Sequence, residues 1–163
     1  MLMSVIKNNL LLRKIKTMFS NSCEYGLRAI IFIAQQTTQN NKVSLSTISE
    51  EINSPKAFTA KILQKLTRNN IVKSIKGPYG GFEIEKDKLE TITLSDVVVI
   101  FDGDTIYTRC GLGLTQCNEN SPCPMHYKFI KIREELKNML ESTTLLGLLD
   151  DLDSDLLQLK LKR

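Results

Sequence analysis

Apolar and polar positions follow two rhythms along this chain. Over residues 22–35, Tyr25, Leu27, Ala29, Ile30, Phe32, Ile33 and Ala34 form a dense stripe at helical spacing. Glu24 and Arg28 lie one turn apart on it, and Ser22 is placed to cap it. The polar stretch 37–42 ends this helix. Residues 43–52 repeat the rhythm with Leu45, Ile48 and Ile52, capped by Ser44 or Ser46. Asn53-Ser54-Pro55 breaks it, and Pro55 suits a first helical turn. The next helix is predicted over 55–67, with Phe58, Ile62, Leu63 and Leu66 inward and Lys56, Thr59, Gln64 and Lys65 off that stripe. The rhythm then changes to period two. Residues 71–75 read as a strand, 77–81 (GPYGG) as a tight turn and 82–84 as the returning strand.

Two short helices, a sharp break and a basic hairpin predict a winged helix-turn-helix. Its third helix turns an apolar side to the first two, and a polar side small enough for a major groove of about 12 Å. Further along, residues 92–101 predict a short helix opening at Leu94 and capped by Thr93 or Ser95. Residues 124–142 carry Met125, Phe129, Ile130, Ile132, Leu136, Met139 and Leu140 between charges. That pattern predicts a long helix with one side on its own domain and another on a second copy. The expected fold is therefore mainly α with a small β-hairpin: a winged helix-turn-helix domain plus a long dimerisation helix, assembled as a homodimer. The chain divides into a 1–17 extension, the winged domain at 18–104, a cysteine-rich loop at 105–126, the dimerisation helix and following segment at 127–152, and a charged tail at 153–163.

Charge sharpens this picture. The chain has 163 residues and a net charge of +4, with 22 Lys+Arg against 18 Asp+Glu. Lys7, Arg13, Lys14 and Lys16, with no acid beside them before residue 18, account for the whole excess. The remainder is neutral but segregated. Between Ser54 and Phe82 lie Lys56, Lys61, Lys65, Arg68, Lys73 and Lys76 and no acid, whereas Asp150, Asp151, Asp153 and Asp155 crowd the C-terminal end. A window of that kind predicts a polyanion contact. The first 17 residues lack both the apolar run of a membrane span and the layout of a signal peptide. They are read as a start-site artefact, with Met18 opening a self-contained pattern. The expectation is a cytoplasmic protein without a membrane partner.

Cysteine supplies the candidate chemistry. Of four cysteines, three cluster with the single histidine as Cys110-x6-Cys117-x5-Cys123-x2-His126, in a loop rich in Gly, Asn and Pro. Clustered thiols in a cytoplasmic chain point to a metal or redox group rather than a disulfide frame. Thiolates suit zinc or iron–sulfur, and imidazole can replace one of them. The gaps are looser than the tight Cys pairs of structural zinc, which favours iron–sulfur. Cys23, within an apolar stripe, reads as a core residue. With one His and no carboxylate pair beside it, the chain does not read as an enzyme.

At this point the chain resembles the Rrf-type winged-helix transcriptional regulators, the family of IscR-like and NsrR-like iron–sulfur proteins. The matching segments are Cys23-Glu24-Tyr25-Gly26-Leu27-Arg28-Ala29, Lys61-Ile62-Leu63-Gln64-Lys65-Leu66, Lys76-Gly77-Pro78-Tyr79-Gly80-Gly81-Phe82 and the three-cysteine loop. The resemblance implies a homodimer on palindromic promoter DNA, most simply a repressor. It implies a 2Fe–2S cluster on Cys110, Cys117 and Cys123, with 4Fe–4S or zinc as alternatives. His126 falls at the fourth-ligand position, and Glu24, reaching across from the partner protomer, is the alternative fourth ligand. For DNA it implies Pro55, Lys56, Thr59, Gln64 and Lys65 from the helix, Tyr25 and Arg28 near phosphates, and Lys73, Lys76, Tyr79, Gly80 and Gly81 from the wing. The first cysteine gap is one residue longer than is usual in that family, and Ala60 replaces a larger polar residue. The rivals are a zinc-stapled module and a metal-free thiol switch.

Overall fold

The computed structural model describes residues 18–150. The 1–17 extension, the tail from residue 151 and most of the acidic cluster lie outside the described residues. Helix α1 (Asn21–Thr38) starts two residues earlier than expected, because Ser20 rather than Ser22 caps it, accepting the Cys23 N–H at 3.1 Å. Helix α2 (Leu45–Glu51) is capped by Ser44, which accepts the Thr47 N–H. Helix α3 (Lys56–Arg68) follows Pro55. Asparagine ends each of the three: Asn40, Asn53 and Asn70 take positive φ directly after the last capping residue. Asn tolerates that left-handed turn better than a branched residue would.

Strands β1 (Lys73–Ile75) and β2 (Gly81–Glu83) pair antiparallel, with Ser74 opposite Phe82. The pairing is shorter than the alternation predicted. Ile71 and Val72 are buried ahead of β1 and serve the core instead. Gly81 belongs to β2, so the tip is Lys76–Gly80. Only glycine fits at residue 80, because a Cβ there would overlap the Ile75 carbonyl oxygen. Val43 exchanges two backbone hydrogen bonds with Phe82, at 3.1 and 2.8 Å, and so ties the wing to the α1–α2 connection.

A 3-10 turn (Lys86–Glu90) leads to helix α4 (Leu94–Asp102), which opens on a capping box between Thr93 and Asp96. The start of the expected cysteine loop is itself helical, as α5 (Thr105–Thr108). Helix α6 (His126–Ser142) is the long helix, and α7 (Leu145–Asp150) returns to the domain. The Leu94 N–H donates to Thr143 O and the Leu145 N–H to Ile92 O, at 3.0 and 2.9 Å, so the far end of α6 is anchored to α4.

The core gathers Ile30, Ile33, Ile48, Ile52, Leu63, Leu66, Ile84, Val97 and Leu145, all fully buried. Helix α1 is its centre and packs on α2, α3, α4, α7 and β2. Close approach of α1 and α4 needs Gly26, where any Cβ would overlap the Phe101 ring. A smaller cluster of Cys23, Val98 and Leu140 joins α1, α4 and the end of α6. Elsewhere α6 is mostly exposed, with Ile132 at 57% and Met139 at 49%.

Candidate DNA-binding surface and cysteine site

Helix α3 buries Thr59, Ile62, Leu63 and Leu66. Thr59 is thus a correction to the sequence reading: it is fully buried, and its hydroxyl donates to Pro55 O at 3.2 Å. The opposite side centres on Ala57, Lys61, Gln64 and Arg68, all exposed, with Pro55 and Lys56 at its start. Lys61 and Arg68 were missing from the predicted contacts, although their spacing from Ala57 and Gln64 already placed them on one face. Lys65 lies at the flank, its Nζ 5.0 Å from the Phe101 ring of α4.

Tyr25 and Arg28 also sit differently from expectation. The Tyr25 ring meets Phe58 edge-on at 5.4 Å, and the Arg28 guanidinium lies 4.1 Å over the same ring. Arg28 Nη1 donates to Ile52 O at 3.3 Å and Nε to Glu24 O at 3.4 Å. This stack braces the seam of α1, α2 and α3 around the half-buried Arg28. In the wing, Lys76 and Tyr79 are exposed, Tyr79 by 92%, and Gly80 and Gly81 shape the turn beneath them. Lys73, at the base, is exposed and pairs with Glu85 at 3.5 Å. Lys88 and then Lys73 hold the Glu85 carboxyl below its ordinary range.

The loop after α5 brings the three clustered cysteines together: their Sγ atoms all lie within 4.8 Å of one another, and Cys110 and Cys123 are 3.8 Å apart. Local turns explain it. Asn118 Oδ1 accepts the N–H groups of Asn120 and Ser121, closing the second gap. The Gly113 N–H donates to Cys110 O. His126 opens α6, gives its N–H to Cys123 O and sets Nδ1 3.2 Å from Cys117 Sγ. Neither His126, whose ring reaches Cys117 alone, nor Glu24, in the first turn of α1, lies within 4.8 Å of all three thiols.

The donor set fits a metal group. A separation of 3.8 Å matches two sulfurs on one tetrahedral metal with bonds of about 2.3 Å. His126 Nε2 is buried with no hydrogen-bond partner, an unmet demand in a residue only 8% exposed. The Cys110 thiol falls from its ordinary 9.0 to about 7, first because the Leu114 N–H points at it, with the Leu112 N–H adding to the effect against partial desolvation. Cys117 receives the Cys123 N–H, yet desolvation and the two neighbouring thiols outweigh that and hold it above its ordinary value.

The Rrf2 family, of iron-dependent transcriptional regulators, matches residues 19–151. The chain belongs to the Rrf2 family. This Rrf2 chain is 28% identical to the HTH-type transcriptional regulator IscR of Serratia proteamaculans (strain 568) over 129 residues, 79% of this chain and 77% of the relative. Its fold matches CymR, the global cysteine regulator of B. subtilis, with a TM-score of 0.67 and 26% identity over 83% of this chain and 98% of that one. It also matches T. potens IscR, with a TM-score of 0.65 and 21% identity over 87% and 91% of the two chains. The Rrf2 chain is thus a winged-helix, DNA-binding transcriptional regulator, and its relatives are regulators rather than enzymes. Among the described residues no helix is long and apolar enough to cross a membrane.

Proposed function

We propose that the chain is a cytoplasmic, homodimeric regulator, most simply a repressor, whose operator affinity is set by an iron–sulfur cluster of the 2Fe–2S type. The observation that carries this reading is the convergence of three thiols within 4.8 Å beside a buried, unsatisfied imidazole. Cys110, Cys117 and Cys123 would hold the cluster, and His126 is the fourth donor in preference to Glu24, because it already abuts Cys117. A bound cluster supplies a link between these donors that oxidants, nitric oxide or iron starvation can break. Cys110 offers a thiolate at neutral pH, and His126 fixes the loop to the first residue of α6. Exposed Ile132 and Met139 on α6 suit a second copy of the chain. A homodimer would then set two α3 helices about 34–36 Å apart, one turn of DNA. Lys56, Lys61, Gln64, Lys76 and Tyr79 would face the duplex.

A metal-free thiol switch is the second reading. The Cys110 and Cys123 sulfurs, at 3.8 Å, need only a small loop movement to reach bonding distance, and an oxidised form is among the matching CymR structures. Both readings predict regulation through the same loop. The test is fluorescence anisotropy on a palindrome selected from random DNA, under nitrogen, before and after chelation of the metal. An affinity change on the order of 5–150-fold supports cluster control. Equal affinity in both forms, with a change only after peroxide, supports the thiol switch.

A further inference from the structure

Helix α6 holds the residues on both sides of Cys110. On the N-terminal side, Arg133 Nη1 donates to Arg109 O at 3.0 Å. On the C-terminal side, Gly111 lies against the Phe129 ring, so closely that any Cβ would overlap the ring carbons. Phe129 and Arg133 are one turn apart, so one face of α6 grips both flanks of the cysteine. Arg109, Gly111, Phe129 and Arg133 line a single groove. Among the described residues Arg133 forms no ion pair, and its guanidinium donates to that carbonyl. The same helix begins at His126, which touches Cys117 and Cys123. Each of the three thiols is thereby referred to one helix.

We propose that Arg133 and Phe129 are positioning residues that hold Cys110 in ligating register on α6, an inference that rests on reading the three cysteines as cluster ligands. Neither residue is itself a ligand in that reading. Groups that orient metal ligands typically change affinity or lifetime 10–100-fold when removed. The clamp also makes the cluster site and the long helix move as one body.

Three variants test it. Arg133→Met removes the donor, Arg133→Lys keeps one, and Gly111→Ala lifts the loop from the Phe129 ring. Each full-length chain is purified anaerobically beside the wild type, and loss of visible absorbance is timed under a ferrous chelator. Loss on the order of 10-fold faster is expected for Arg133→Met and Gly111→Ala, with Arg133→Lys closer to wild type. A second readout needs no cluster: iodoacetamide labelling of the metal-free chain, measured cysteine by cysteine. Arg133→Met should raise Cys110 labelling relative to Cys117, whereas general destabilisation would raise Cys23 as well. Wild-type loss rates and wild-type labelling ratios in both Arg133→Met and Gly111→Ala would overturn the clamp. A wild-type chain that takes up neither iron nor sulfide defeats the cluster reading instead, and the labelling ratio still decides the clamp.

Discussion

Cys110 and Cys23 are pushed in opposite directions by their surroundings. Backbone N–H groups, Leu114 first, draw Cys110 down to about 7, so that raising pH from 6 to 8 converts most of it to the nucleophilic thiolate. Burial, then the Asp102 carboxylate, drives Cys23 up to about 12. In the metal-free chain, iodoacetamide labelling of Cys110 should therefore rise with a midpoint near pH 7, while Cys23 stays unlabelled until the chain unfolds. A midpoint near 9 for Cys110 would contradict the geometry of its loop. Arg28 carries a second residue-scale prediction. Its bonds run to backbone carbonyls of α1 and α2, not outward. Arg28→Met should cost about 1 kcal/mol in urea unfolding and leave the salt slope of DNA binding unchanged. A slope lowered by about one would return Arg28 to the phosphates.

Among the elements, the capping box of α4 is the clearest local determinant. Thr93 and Asp96 satisfy each other's backbone N–H groups, at 3.3 and 2.8 Å. Thr93→Ala should destabilise the chain by about 1 kcal/mol in urea titration, and no measurable loss would mean that the bonds to Thr143 and Ile92 set the helix start instead. The Pro55 break and the GP-x-GG wing are legible in the sequence, because each depends on particular residue types at fixed offsets, whereas the sequence narrows the caps of α4 and α2 only to Thr93 or Ser95 and to Ser44 or Ser46. What was not legible depends on tertiary approach. Ser22 looked like the cap of α1 because periodicity cannot see that the backbone of Ser20 bonds to Asp102, 82 residues away. Thr59 looked polar and outward, but a hydroxyl can satisfy itself on the carbonyl four residues earlier and then enter the core. The cysteine spacing suggested a site, yet nothing in it pointed to Arg133 or Phe129, which reach the loop from a helix two dozen residues on.

At the scale of the molecule, α6 is fastened at both ends and open between. The cysteine loop holds its start, the bonds to Ile92 and Thr143 hold its end, and Ile132 and Met139 remain exposed along it. The basic helix face and wing lie in another part of the fold, joined to α6 through α4 and the Cys23–Val98–Leu140 cluster. Charge follows this division. The segment from Ser54 to Phe82 carries six bases and no acid, and Lys61 stands at the centre of its exposed helical face. Lys61→Ala should weaken binding to all sequences alike and lower the salt slope by about one, read by anisotropy at several salt concentrations. An unchanged slope would remove that face from the DNA.

Whether the three clustered thiols hold iron and sulfide is decided by elemental analysis. The full-length chain, purified under nitrogen, is analysed for iron, acid-labile sulfide and zinc, with its visible spectrum, beside a Cys110→Ala, Cys117→Ala, Cys123→Ala variant. The expected result is a coloured protein with iron and sulfide in equal amounts, both lost in the variant. A colourless protein holding zinc, or no metal, would contradict it.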